Sequence, residues 1–242
     1  MERIKVFGMN ENDILLKLDN VSKSFTLRSG EKLNVIENMS FELGAGSLVI
    51  IKGRSGSGKT TLLNIMGALD ADYDGKVIFD DKDMSSLNEV QREEVRRNEM
   101  GFVFQSVALL PMMTAYENID FALRTLGKYK DNDERIKETL ALVDLSDRTS
   151  HFPFQLSGGE QQRIAIARAI VKEPKIIFAD EPTGALDTTT ALVVVKLFRE
   201  LVKRLRLTIV MTTHDEGLMD MADVLINLEE KSIIVKEDQS DI

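Results

Sequence analysis

The stretch Gly53-Arg54-Ser55-Gly56-Ser57-Gly58-Lys59-Thr60 decides the reading of this chain. Before it runs Leu48-Val49-Ile50-Ile51, an apolar segment of the length of a buried strand. After it, Thr61-Leu62-Leu63-Asn64-Ile65-Met66 opens a helix. Strand, glycine loop and helix in that order form a phosphate cradle. The glycines let the backbone curl until successive N–H groups point at phosphate oxygens. The helix N-terminus adds about half a positive charge. In such a loop Lys59 reaches the outer phosphates and the Thr60 hydroxyl holds Mg²⁺. The alternative, a flexible glycine turn, leaves the flanking strand and helix unexplained.

Two further apolar segments end in polar chemistry. Lys175-Ile176-Ile177-Phe178-Ala179 runs into Asp180-Glu181, and Leu207-Thr208-Ile209-Val210-Met211 runs through Thr212-Thr213 into His214-Asp215. In a parallel α/β sheet, ligands sit beyond the carboxyl ends of the strands. Asp180 suits a magnesium-bound water, since Mg²⁺ keeps part of its water shell. Glu181, one residue on, is placed to polarise an attacking water. As alternatives, Asp180 and Glu181 could cap a helix and His214 could serve a turn.

A second glycine loop, Leu156-Ser157-Gly158-Gly159-Glu160-Gln161, precedes a helix expected over 161–171. Ser157 and Glu160 fit a capping box. That box does not require Gly158 and Gly159, which cost helix stability. Glycines there allow a phosphate to approach backbone N–H groups at the positive helix end, and this reading is preferred.

The order of the glycine loop 53–60, Gln105, the 156–161 loop, Asp180-Glu181, Ala185-Leu186-Asp187 and His214 resembles the ATP-binding cassette family over nearly the whole chain. The resemblance implies an α/β fold of the P-loop NTPase class. Its RecA-like core, about 1–105 and 173–242, would carry an N-terminal antiparallel β subdomain. An α-helical subdomain, about 106–172, would be inserted, all within one domain. It further implies an ATPase that dimerises head-to-tail around two MgATP, each touching one copy's first loop and the other copy's Ser157-Gly158-Gly159. On this resemblance the nucleotide contacts are Phe25, Gly53, Ser55, Gly56, Ser57, Gly58, Lys59, Thr60, Thr61, Gln105, Ser157, Gly158, Gly159, Glu160, Asp180 and Asp187. Phe25 would stack on adenine; the alternative is a core phenylalanine. Thr60, Gln105 and Asp180 would serve Mg²⁺, Asp180 through water. Glu181, His214 and Lys59 would carry the chemistry. Asp187 would link the two sites across the interface.

Gly101-Phe102-Val103-Phe104-Gln105, Leu109-Leu110-Pro111, Glu160-Gln161-Gln162-Arg163 and Pro182-Thr183-Gly184-Ala185-Leu186-Asp187 are similar to one branch. That branch holds macrolide-exporter, lipoprotein-releasing and antimicrobial-peptide-resistance ATPases. It implies an integral membrane permease partner with a large extracytoplasmic domain, mechanical work across the membrane, and no contact with the peptide, antibiotic or lipoprotein cargo. The other reading is an FtsE-like ATPase that regulates cell-wall hydrolysis through a membrane partner. Gly184 replaces the serine of many cassettes, and Glu229-Glu230-Lys231 replaces an Asp-Gly turn. Neither departure is expected to touch the chemistry.

Composition agrees. The chain has 242 residues, 43% of them hydrophobic, which suffices for one α/β domain with an insertion. No apolar run approaches the roughly 20 residues of a membrane helix. Met1-Glu2-Arg3-Ile4-Lys5 lacks a secretory apolar segment, so no leader is expected. A cytoplasmic protein, peripheral on the membrane through its permease, is expected. The absence of cysteine excludes disulfides and thiolate metal sites. A net charge of −9 argues against nucleic acid and against a cassette acting on ribosomes or DNA. Residues 13–52 read as strands and turns over the nucleotide base, 88–98 and 133–143 as helices, 100–104 as a strand and 127–134 as a surface turn. His151 is read as structural and 237–242 as a frayed tail. The apolar residues of 107–119 either pack the insertion or line a groove for the membrane partner.

Overall fold

The computed structural model describes residues 14–127, 132–230 and 232–235. The expectations for 1–5 and 237–242, and for 128–131 of the 127–134 turn, lie outside the described residues. In chain order the elements are β1 (Ile14–Thr26), β2 (Lys32–Gly44), β3 (Leu48–Lys52), α1 (Lys59–Met66), β4 (Asp74–Phe79), β5 (Lys82–Asp83), α2 (Glu89–Glu99), β6 (Met100–Phe104), α3 (Ala115–Arg124), α4 (Asp133–Leu142), α5 (Gly158–Ile170), β7 (Ile176–Asp180), α6 (Thr188–Leu205), β8 (Thr208–Thr213), β9 (Val224–Asn227) and β10 (Ser232–Val235).

The strands form two sheets. One is antiparallel, in the order β2-β1-β4-β5. The other has six strands in the order β10-β9-β3-β8-β7-β6; it is parallel except for β10 at its edge. Its central strands each hold a continuous apolar run, Leu48–Ile51, Ile176–Ala179, Ile209–Met211 and Val224–Ile226, because both faces are covered. Alternation along each strand sorts the side chains into two cores. Leu48, Ile50, Ile177, Ala179, Ile209 and Met211 face the helices α3–α6. Val49, Ile51, Ile176, Phe178, Val210 and Ile226 face α1 and the antiparallel sheet. Phe178 is fully buried in the second core; truncating such a ring to alanine costs about 3–5 kcal/mol.

Local signals set the helix ends. Asn88 Oδ1 accepts from Gln91 N at 3.0 Å and Gln91 Oε1 accepts from Asn88 N at 3.0 Å, starting α2 one residue after the expected position. Thr114 and Glu117 close the same box on α3. α5 begins at Gly158, not at Gln161 as expected. Ser157 caps it, so both glycines sit in the first turn, where N–H groups have no intrahelical partner. The helices of the insertion share one core with the sheet: Ile119 and Leu123 of α3, Ile136 and Leu140 of α4, and Ile164 of α5 belong to the cluster that holds Leu48 and Ile209.

Candidate functional site

The site lies at the carboxyl edge of the parallel sheet because the registers bring the strand ends level. Lys52 pairs with Thr213, and Phe104 pairs with Asp180. The first glycine loop follows β3, Gln105 follows β6, Asp180-Glu181 ends β7, and His214 follows β8.

Lys59 is only 5% exposed. Its Nζ donates to the carbonyls of Gly53 at 2.8 Å and Arg54 at 3.1 Å, and stands 3.6 Å from Glu181 Oε1. Gly58 before it has φ 94°, and a Cβ there would lie 2.7 Å from Val35 Cγ1 on β2, so only glycine fits. α1 has neither a side-chain cap nor an acidic residue in its first turn, whereas Asn88, Thr114, Ser157 and Asp187 cap α2, α3, α5 and α6. α4 also lacks a side-chain cap but has Asp133 and Glu134 in its first turn, whereas the start of α1, with neither cap nor acid, suits an external anion. Ser55, Gly56 and Thr60 are exposed and Thr61 is half-buried. The Ser57 hydroxyl is buried against Gly53 and has no partner among the described residues.

Asp180 is held from two sides. Thr60 Oγ1 donates to its carboxylate at 3.1 and 3.0 Å, and Thr212 Oγ1 donates to Oδ1 at 2.7 Å. Thr212 Oγ1 in turn accepts from Glu181 N at 2.8 Å. Glu181 takes φ 43°, a left-handed turn that lifts its side chain off the strand direction. Its Oε1 meets Lys59 and lies 3.5 Å from His214 Nδ1. The Thr60 hydroxyl and the Asp180 carboxylate are hard oxygen donors side by side, a set that fits Mg²⁺ completed by phosphate and water. Sequence reading missed Thr212. Its signal was a hydroxyl in a strand whose residues are all buried, where a polar group needs a partner.

The expected residues fall into separate groups. Lys59, Thr60, Asp180, Glu181 and His214 come together, with Gln105 beside them. Phe25 is 43% exposed and belongs to neither core, which removes the core-phenylalanine alternative. Lys23 Nζ lies 5.0 Å from its ring centroid and is anchored by Asp70 and Asp72, beyond α1. Ser157, Gly158 and Gly159 neighbour the start of α6: a Cβ on Gly158 would lie 3.5 Å from Leu186 Cδ2, and one on Gly159 would lie 2.4 Å from Thr190 Cγ2. Asp187 caps α6 through Thr190 N at 3.0 Å and Thr190 Oγ1 at 2.6 Å.

Gly159 thus has a packing reason as well as a proposed phosphate role, and the capping box is formed. Glu160 Oε2 accepts from Ser157 N at 2.9 Å and Oγ at 2.8 Å, and its Oε1 accepts from Arg148 Nε at 2.8 Å. Arg148, then these Ser157 bonds, hold the Glu160 carboxyl down to about 2. Its two carboxylate oxygens are divided between the box and Arg148. His151 joins the loop by its backbone: its carbonyl accepts from Ala115 N at 2.8 Å.

Both sequence departures lie beside the site. A Cβ on Gly184 would stand 3.0 Å from Gln105 Nε2 and 3.3 Å from Glu181 Oε2. Glu229 Oε1 accepts from Arg54 N, inside the glycine loop, at 2.6 Å. The turn that presents Glu229 is built by Asn227, whose Oδ1 accepts from Glu229 N at 3.1 Å and Glu230 N at 3.4 Å.

The sequence profile of the family described as ABC transporter matches residues 36–184. The chain is 42% identical over 220 residues to the lipoprotein-releasing system ATP-binding protein LolD of Bacteroides thetaiotaomicron, covering 90% of this chain and 99% of that one. It is 38% identical over 224 residues to the macrolide export ATP-binding/permease protein MacB of Vibrio parahaemolyticus, covering 92% of this chain and 34% of that longer protein. Among solved structures, the dimeric post-hydrolysis state of the ATP-binding cassette MJ0796 bound to ADP and Pi superposes with a TM-score of 0.80 at 36% identity, covering 91% of this chain and 98% of that one. The chain belongs to the ABC transporter family, as one of its ATP-hydrolysing cassettes.

Proposed function

We propose that two copies of this chain close head-to-tail around two MgATP and thereby drive a membrane permease of the mechanotransmission type. The observation that carries the chemistry is the convergence of Lys59, Thr60, Asp180, Glu181 and His214 at one strand edge. Lys59 now divides its charge between two loop carbonyls and Glu181. A phosphate in the loop competes for that ammonium. Once Lys59 turns to it, Glu181 is free to accept a hydrogen bond from water and act as general base. His214, already beside Glu181, reaches the γ-phosphate. Thr60 and Asp180 would hold Mg²⁺, which supplies charge neutralisation at the phosphates. Gln105 responds to both from the end of β6.

In this reading Ser157, Gly158 and Gly159 of one copy cover the nucleotide of the other. The MJ0796 cassette is described as dimeric, which supports the arrangement. Among the described residues no helix is long and apolar enough to cross a membrane; in this reading the membrane work goes through a permease. LolD and MacB carry their functions in their names; for this chain the cargo class remains theirs by similarity, and the permease is the proposed contact. Met112, 86% exposed, and Phe154, 78% exposed, offer it an apolar surface on the insertion.

The decisive test is sedimentation of a Glu181→Gln variant. It should be a dimer with MgATP and a monomer without nucleotide. A monomer at saturating MgATP, with the permease present, defeats the shared-site reading.

A further inference from the structure

The segment after Gln105 is bent in a way its residues resist. Val107 has φ 56° and Ala108 has φ 50°. Two successive non-glycine residues stand in the left-handed region, one of them β-branched, where such a residue is an outlier. The chain is also pulled tight: Val107 N donates to Phe104 O at 3.1 Å, and Ala108 N to Ser106 O at 2.5 Å. Conformations of this kind persist only where the surroundings over-determine them.

Arg168 on α5 is what surrounds them. Its Nη1 donates to Ala108 O at 2.6 Å and its Nη2 to Val107 O at 3.1 Å. The guanidinium grips both strained peptides with one planar fork. Among the described residues it has no carboxylate partner; these carbonyls are its bonds. One turn further, Lys172 Nζ donates to Met100 O at 3.2 Å and Arg97 O at 3.3 Å. Between the two cations, a Cβ on Gly101 would lie 3.3 Å from Ala169 Cβ. The far half of α5 is therefore fastened along β6, and past its end, to the loop that carries Gln105. Beyond the strained pair a different anchor takes over. Asn118, fully buried on α3, accepts from Leu110 N at 2.8 Å and donates to Leu110 O and Met113 O at 3.1 and 3.0 Å.

We propose that Arg168 is a positioning residue that holds the left-handed pair Val107–Ala108 and so fixes where Gln105 stands relative to α5. Because α5 begins at Ser157-Gly158-Gly159, the clamp ties the loop that meets the partner copy's nucleotide to the glutamine that faces the chain's own. That consequence rests on the function proposed above; the clamp itself does not.

The test compares Arg168→Ala, Ala108→Gly and the double variant in the full chain. Two readouts are taken. The first is amide hydrogen exchange over 105–109 without nucleotide, which is independent of any ATPase reading. Exchange should rise in Arg168→Ala and fall back in the double variant, because glycine adopts the left-handed conformation without strain. The second is steady-state hydrolysis. Arg168→Ala should lower kcat about tenfold and raise the Mg²⁺ needed for half-maximal rate, with the ATP KM within about twofold. The added Ala108→Gly should restore roughly a third or more of the lost rate. If Arg168→Ala does not fold, Arg168→Gln, which can still reach one carbonyl, carries the same comparison. Unchanged exchange overturns the clamp. Raised exchange with unaltered kcat and Mg²⁺ dependence overturns the positioning of Gln105. A loss of rate that Ala108→Gly leaves untouched assigns Arg168 to helix packing alone and also overturns the proposal.

Discussion

The ammonium of Lys59 stands 3.6 Å from Oε1 of Glu181, so the proposed phosphate-binding cation and the proposed general base restrain each other in this conformation. In the proposed mechanism an arriving phosphate would exchange one anion for another at Lys59 and release Glu181 when a base is needed. Glu181→Gln should keep ATP binding and cut hydrolysis by roughly 10²–10⁴. Single-turnover hydrolysis beside nucleotide titration separates the two effects. A turnover near wild type removes Glu181 from the chemistry.

Lys59→Ala should act on binding itself. The variant loses a charged donor to phosphate and leaves the Gly53 and Arg54 carbonyls without their partner. ATP affinity should fall about 10- to 100-fold, the scale of a charge-assisted hydrogen bond. Isothermal titration measures it; unchanged affinity would remove Lys59 from the phosphate site.

Thr212→Val keeps the shape of the side chain and removes the hydroxyl between Asp180 Oδ1 and Glu181 N. One peptide N–H then loses its acceptor at a half-buried position. Stability should drop by about 1–3 kcal/mol. The Mg²⁺ concentration for half-maximal activity should also rise, since Asp180 loses one of its two supports. Chemical denaturation and Mg²⁺ titration read the two effects separately.

Acid should loosen the 157–160 turn through Glu160. Its folded pKa, about 2, lies below its ordinary 4.5, first because of Arg148 and then Ser157. A depressed carboxyl pKa contributes stability that is complete above the ordinary value and is lost as pH falls towards the folded one. The loss should therefore run from about pH 4.5 down to about 2. Arg148→Ala should shrink this contribution and make the loss, still beginning at about pH 4.5, end nearer that value. Glu160→Gln should abolish this part of the pH dependence. Urea midpoints at pH 6 and pH 3 for the three proteins decide it.

On the proposed permease surface, Met112 and Leu109 should behave differently. Met112 projects into solvent, whereas Leu109 is half-buried against the main core and Met113 is half-buried as well. Met112→Asp should leave folding and basal ATPase intact and strongly weaken permease pull-down, because a charge in an apolar contact loses its hydration unpaired. Leu109→Asp should lower Tm as well. Full permease binding by Met112→Asp would exclude this surface.

Residues close in sequence announced themselves. Gly53 to Thr60 was legible because glycine spacing, an apolar strand before it and a helix after it are local properties of backbone and burial. Ser157 with Glu160 was legible as a helix start for the same reason, and the boxes of Asn88 with Gln91 and Thr114 with Glu117, which were not read from the sequence, are equally local: each bond spans three residues. The alternation that divides β3 between two cores followed from a strand period of two. What no local pattern contains is the order β10-β9-β3-β8-β7-β6. That order carries Glu229 to Arg54 across 175 positions and Thr60 to Asp180 across 120. Packing of α5 along β6 brings Arg168 to Val107 across 61. It also left Met112 outside and drew Leu109 in, though both are apolar members of one short segment. Chain chemistry within a few residues determined which groups this protein has and which turns hold them. Only the tertiary structure decided which of them meet, because strands distant in sequence become neighbours only when the two cores close on both faces of the sheet.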